Sequence, residues 1–334
     1  MTTAIAAIVI FFIVVLVHEF GHFSVAKLVG IKVHEFSIGM GPRIGKYKKG
    51  ETEYSLRLLP IGGYVRMEGE DEKSEDERSF SNKPAISRIF VLAAGAIMNF
   101  LLAFVIFVIV SFIIGTPTTV IDSVTENMPA YDAGMKSGDK IISVNDNKVD
   151  DWQEFKDVIN GSENKVIITV KRDDELKKFE VNPKIDTETN MRIIGIRAKT
   201  EVSLISAIKD SFSRLIFTIT MMIEFLKNAI TGNINKGDVA GPIGVIQLIG
   251  KTAQYGILNL LSLAAFININ LGFFNLLPIP ALDGSRILFV LVELIRGKPI
   301  DPEKEGFIHF VGFVLLITLM IFISYNDINR LNNF

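Results

Sequence analysis

His18-Glu19-Phe20-Gly21-His22 lies near the end of an apolar stretch that has no charge from Thr2 to Val17 and no basic residue before Lys27. Residues four apart share one face of a helix, so His18 and His22 can point at a single metal ion, while Glu19, turned about 100° away, can reach a water beside it. Burying three ionisable side chains in an apolar span is costly unless they bind or line something. The stretch starts like a signal sequence, but it continues through both histidines without a small-residue cleavage site. It is therefore kept as a span rather than discarded as a leader.

The rest of the chain has the same character. Its 334 residues are 49% hydrophobic, with 25 Phe, one Trp and no Cys, and the mean hydropathy is +0.37, which excludes a simple soluble enzyme. Lys plus Arg (35) nearly balances Asp plus Glu (37), so the net charge of −2 provides no field for nucleic acid, and no nucleic-acid partner is expected. Without Cys there is no disulfide, thiolate ligand or cysteine nucleophile, and any metal must be held by His, Asp or Glu. Four stretches, residues 4–27, 89–115, 256–280 and 307–325, are long and apolar enough to cross a lipid bilayer as helices.

Lys and Arg near span ends favour the cytoplasm. Residues 27–88 hold 12 of them and the loop between the third and fourth spans adds Arg286, Arg296, Lys298 and Lys304, whereas the C-terminal tail has only Arg330. Both termini are expected outside, in a multi-pass protein of the cell membrane. Between the second and third spans, residues 120–124 and 140–144 read as strands and residues 151–159 as a short helix with an acidic start. Residues 166–170 and 179–181 form a hairpin across Asp173 and Asp174. A small mixed β domain over about residues 117–198 is the simplest account, followed by an interfacial helix over residues 202–230, interrupted by Lys209, Asp210, Arg214, Glu224 and Lys227. The charged run 68–78 reads as a solvated loop.

A catalytic zinc takes three protein ligands and leaves one position open, so a third ligand is needed. His34, in a basic segment, and His309, at the start of the fourth span without a supporting polar neighbour, read as ordinary interfacial histidines. Asp283 is the better candidate. It follows Asn275-Leu276-Leu277-Pro278-Ile279-Pro280-Ala281-Leu282, where two prolines must break the helix, and broken backbone at membrane depth has to be buried by protein or line a cavity. The alternative is that Asp283 caps a helix at the membrane surface.

Four motifs together resemble the site-2 protease family of intramembrane zinc metalloproteases, in particular its bacterial PDZ-containing branch. They are residues 18–22, the run Gly62-Gly63-Tyr64-Val65-Arg66-Met67-Glu68-Gly69-Glu70, the run Gly241-Pro242-Ile243-Gly244, and residues 275–284. The resemblance covers nearly the whole chain. It implies four transmembrane helices, a membrane-associated β-hairpin or sheet, and one extracytoplasmic PDZ domain of mixed α/β structure. The implied domains are residues 1–116, 117–198, 199–255 and 256–334. The implied site has Zn²⁺ held by His18, His22 and Asp283, with Glu19 as catalytic base and Asn275 binding substrate or oxyanion. Asn275 could instead make an interhelix hydrogen bond, like Asn268 and Asn270. One departure is Ala96 in Ala94-Gly95-Ala96-Ile97-Met98-Asn99, where the family commonly has proline; Asn99 matches.

The resemblance also implies that residues 133–146 are a PDZ core and that Ile194, Gly195 and Ile196 belong to a loop offering backbone N–H groups to a peptide C-terminus. A size filter above the active site is the alternative. The segment over residues 33–66, with strand-like residues 53–58 and a turn at Lys49-Gly50, corresponds to a sheet that pairs with unwound substrate; otherwise it only anchors the first span. The implied substrates are single-span membrane proteins such as anti-sigma factors or remnant signal peptides. The rival from another class is an inactive membrane scaffold that holds clients through the PDZ domain.

Overall fold

A computed structural model describes residues 2–332 apart from Asp71, Lys73, Glu163, residues 187–190 and residues 234–239. Two residues of the expected charged loop 68–78 therefore lie outside the described residues. In chain order the elements are α1 (Thr2–Leu28), β1 (Val33–Lys49), β2 (Thr52–Met67), α2 (Ala85–Ile114), β3 (Thr116–Val124), α3 (Pro129–Asp132), β4 (Lys140–Val144), β5 (Asn147–Lys148), α4 (Trp152–Gly161), β6 (Val166–Arg172), β7 (Glu175–Val181), β8 (Lys184–Ile185), β9 (Arg192–Ile193), β10 (Ile196–Glu201), α5 (Leu204–Ile230), α6 (Pro242–Gln254), α7 (Ile257–Leu276), α8 (Asp283–Arg296) and α9 (Pro302–Asn332). They form two compact units, Met1–Phe107 with Phe212–Phe334, and Val108–Ser211.

The first unit contains the membrane helices, except for the last two turns of α2. α1, α2, α7 and α9 are long and apolar enough to span a bilayer. They leave large apolar side chains such as Ile5, Ile8, Val105, Ile109, Phe310 and Val314 exposed, where lipid would cover them. The chain is a multi-pass membrane protein. The third span is shorter than expected. Leu277 turns extended ahead of Pro278, because proline disfavours helical backbone in the residue before it, so α7 stops at Leu276 instead of continuing to residue 280. The chain resumes as α8 at Asp283 and ends it at Gly297, whose left-handed φ of 67° closes the helix.

β1 and β2 form a more elaborate layer than a hairpin. Residues 43–49 pair with 52–57 across the turn at Gly50, while Phe36 lies between Tyr54 on one side and Val65 on the other. Residues 33–38 thus sit inside this layer, and residues 63–67 lie beside them toward α1. Ala26, Ile31, Val33, Met67, Val91, Leu92 and Val290 join α1, this layer, α2 and α8 in one buried cluster. α6 packs on α1 through Ile249 against Ala7, Ile10 and Val14. α5 packs one face on the bundle, where Met222 is buried with Ala103 and Phe107 of α2 and Ala265 and Ile269 of α7, while Phe212, Ile216 and Phe217 remain exposed.

The second unit contains the expected module. Its sheet runs β10-β3-β4-β6-β7 with β5 beside β4. Asp173 and Asp174 take positive φ in the β6–β7 turn, as a tight hairpin requires. Asp151 caps α4 by accepting the N–H groups of Gln153 and Glu154, both at 2.8 Å. Ile121, Ile141, Val144, Phe155, Ile159 and Ile168 fill the core, each fully buried side chain contributing about 1.5–3 kcal/mol. Asp139 is fully buried and held bidentately by Arg172 at 2.6 and 2.7 Å.

Candidate metal centre

The helical spacing of residues 18 and 22 has the expected consequence: both imidazoles are buried on one side of α1. Their Nε2 atoms are 3.2 Å apart. Asp283, the first residue of α8, brings Oδ2 to 3.2 Å from His18 Nε2 and 3.4 Å from His22 Nε2. A tetrahedral ion with bonds of about 2.0–2.1 Å has its ligand atoms about 3.3–3.4 Å apart, and these three edges fit that. Asp283 Oδ2 is buried and accepts no hydrogen bond from the described residues, as suits an oxygen reserved for a cation. The three residues are also the one group of three or more His, Asp or Glu ligand atoms gathered closely among the described residues. Three nitrogen and oxygen donors with a cavity beside them fit zinc with one position open.

Asp283 is not a helix cap. The N-cap of α8 is Leu282, and no side chain caps it. Asp283 is placed by Gly284, where a Cβ would lie 2.3 Å from Leu277 O, so the start of α8 sits directly on the end of α7. α8 is further held by bidentate pairing of Arg88 in α2 with Glu293, at 2.9 and 2.7 Å. Arg286, one turn on from Asp283, pairs with Glu70.

The histidines are oriented from α2. His22 Nδ1 donates to Val91 O at 2.8 Å, which leaves Nε2 free to bind a metal. The Asn99 amide is 3.3 Å from His18 Nδ1. With its oxygen turned to that nitrogen it would accept the Nδ1 proton and free His18 Nε2 in the same way. α2 can come this close because Gly21 and Gly95 lack side chains: a Cβ at Gly21 would sit 2.4 Å from Ala94 O. Ala96, the departure from the family pattern, is fully buried within an unbroken α2.

Glu19 is half-buried beside the triangle, with Gly63 of β2 over it. A cavity of about 560 Å³ is lined by His18, Glu19, His22, Tyr64, Asp283 and His309, among others. Asn275 Nδ2 lies 3.3 Å from His18 Nε2, at the edge of the site. Asn268 and Asn270 do not form the expected interhelix bonds; both donate at 2.8 Å to carbonyls of their own helix, Ala264 and Phe266.

The other two histidines, which read as interfacial in the sequence, differ in their surroundings. His34 pairs with Glu68 at 2.6 Å and stays outside the ligand triangle. His309 does have polar neighbours: its Nδ1 accepts the Ala281 N–H at 3.0 Å and Glu305 lies 3.7 Å from Nε2. The i, i+4 spacing of Glu305 and His309 is the available signal. The Val91 carbonyl escapes sequence reasoning because a backbone acceptor has no signature there.

In the second unit Ile194 is buried, and its carbonyl accepts from Ala130 N at 2.9 Å. Gly195 has φ 80°, and a Cβ there would lie 2.2 Å from Met128 Cβ. Ile196 opens β10 opposite Val124.

Known proteins share this chain's sequence over most of its length. The model of Peptidase family M50 matches residues 6–319. A Clostridium acetobutylicum protein with the provisional name of zinc metalloprotease is 39% identical over 328 residues, covering 97% of this chain and 96% of its own. The Bacillus subtilis regulator of sigma-W protease RasP is 34% identical over 416 residues, covering 98% and 99%. Among solved structures, the PDZ domain of an SdrC-like protein from Listeria monocytogenes is 27% identical, with a TM-score of 0.23, covering 25% of this chain and 87% of that one. This chain belongs to peptidase family M50, the site-2 protease family that its motifs resemble.

Proposed function

We propose that this protein is a zinc metalloendopeptidase that hydrolyses peptide bonds within transmembrane segments of single-span membrane proteins. The observation that carries the proposal is the triangle of His18 and His22 in the first membrane helix and Asp283 at the start of α8, with tetrahedral edges, next to Glu19. Zinc, when bound, supplies a Lewis acid that polarises the scissile carbonyl and acidifies water. Glu19 takes the proton from the attacking water as its oxygen bonds to the carbonyl carbon, holds it on the carboxyl group, and passes it to the leaving nitrogen as the C–N bond breaks. Asn275 Nδ2 donates to the developing oxyanion. A helical substrate hides its peptide bonds in its own hydrogen bonds, so it must be unwound. Residues 63–67 of β2, over Glu19, offer backbone partners to the extended chain.

In this proposal the site opens to the cytoplasm, and both termini and the PDZ-like module lie outside, in accord with the Lys and Arg distribution. Ile194, Gly195 and Ile196 border a groove for peptide C-termini. The relative named a regulator of sigma-W protease favours membrane-anchored anti-sigma factors as the substrate class, with remnant signal peptides as the second. The test is membrane proteomics of cells carrying the parent or Glu19→Gln. Single-span fragments should accumulate with the variant, and identical profiles would instead favour the inactive scaffold.

A further inference from the structure

α9 is the least buried of the four spans, yet one of its turns packs tightly on the loop that delivers Asp283. Besides the hydrogen bond from Ala281 N–H to His309 Nδ1, Gly312 meets Pro280 so closely that a Cβ there would lie 2.3 Å from the proline Cβ. Ala281 has φ 76°, a left-handed conformation that L-residues avoid. The other non-glycine residues with positive φ among those described are Asn127, Asn145, Asp146, Asp173 and Asp174. Asparagine and aspartate can support that conformation with their own side chains; alanine cannot, and needs support from elsewhere.

We propose that His309 is a positioning residue of the metal centre. By accepting the Ala281 N–H it holds the backbone two residues before Asp283 in the left-handed turn that aims the carboxylate at His18 and His22. Gly312 lets α9 come near enough for this. Phe289 of α8 packs edge-on against the ring at 5.6 Å, and Glu305 lies 3.7 Å from Nε2, the nitrogen that carries the proton when Nδ1 accepts. Its Nδ1 faces a backbone N–H, so His309 acts through the loop and not as a ligand. The inference rests on the zinc reading of the site.

The test compares two near-isosteric variants of the full chain in detergent. Asn places an acceptor where Nδ1 was, whereas Gln places it near the position of Nε2. Zinc affinity is measured by chelator competition, and unfolding of the metal-free protein is followed in parallel. His309→Gln should lose about tenfold or more in zinc affinity, the usual scale for removing an orienting partner. His309→Asn should stay near the parent, and metal-free unfolding should be alike in all three. Adding Ala281→Gly to His309→Gln should recover affinity, because glycine takes the left-handed turn unaided. Equal affinity in the Gln and Asn variants, or no recovery with Ala281→Gly, would overturn the proposal. A parent that binds no zinc would overturn the zinc centre itself, a result distinct from either.

Discussion

Gly95 of α2 lies directly against the imidazole of His22: a Cβ built on it would sit 2.4 Å from His22 Nε2 and 2.6 Å from His18 Cε1. Both metal-facing rings thus depend on a missing side chain in the neighbouring helix. Gly95→Ala should force the rings off their positions at a cost of about 1–3 kcal/mol, the range for overpacking a tight site. Most of it should fall on metal binding, because the histidines must move. Zinc per protein, measured by mass spectrometry after purification, should fall well below that of the parent; full zinc in Gly95→Ala would show that α2 sits farther from the histidines.

Glu35 in β1 should make the β layer sensitive to acid. Burial pushes its carboxyl up, but hydrogen bonds from Ser55, Tyr64 and Arg57 and the charge of Arg57 bring it down to about 2, from an ordinary 4.5. A carboxyl lowered by folding stabilises fully above its unfolded value, and the contribution fades as pH falls toward the folded one. Hydrogen exchange over residues 33–67 should therefore speed up as pH drops from about 4.5 toward 2, beyond the intrinsic pH effect. Glu35→Gln should remove that extra dependence, and an unchanged pH profile in the variant would argue against Glu35 as its source.

The Asp139–Arg172 pair should stabilise the PDZ-like module without touching the chemistry. Leaving a buried charge unpaired is strongly destabilising, so Arg172→Leu should cost about 3 kcal/mol in the module. Hydrogen exchange of residues 140–181 should report the loss while zinc content stays at the parental level. A parallel drop in zinc would tie the module to the catalytic fold.

Topology can be read with introduced cysteines, since the chain has none of its own. Asp146→Cys and Glu175→Cys should react with impermeant thiol reagents on intact cells, and Glu72→Cys should not. All three positions are exposed. Labelling at position 72 alone would invert the proposed orientation.

The parts of the site that follow from local periodicity were legible in the sequence. The four-residue spacing put His18 and His22 on one face, and Pro278 and Pro280 marked the break before Asp283. Asp151 announced its helix, and Asp173-Asp174 its hairpin. What could not be read depends on contacts distant in sequence. The β layer folds Phe36 between Tyr54 and Val65 through shifts in register, and no alternation in residues 33–66 encodes that. The Val91 carbonyl reaches His22 across 69 positions, and His309 reaches Ala281 across 28. Each needs the helices already packed, and a lone histidine at a span end carries no sign of its partner.

The central claim, that His18, His22 and Asp283 hold a metal for which Glu19 performs the proton transfer, is tested most directly by one paired measurement. Zinc content and cleavage of a model single-span substrate are determined together for the parent, Glu19→Gln and Asp283→Ala in detergent. Glu19→Gln should keep about one zinc while turnover falls by about 10²- to 10⁴-fold, the scale of general-base catalysis. Asp283→Ala should lose both zinc and activity, because it removes a ligand. Parental turnover in Glu19→Gln, or parental zinc affinity in Asp283→Ala, would contradict the account.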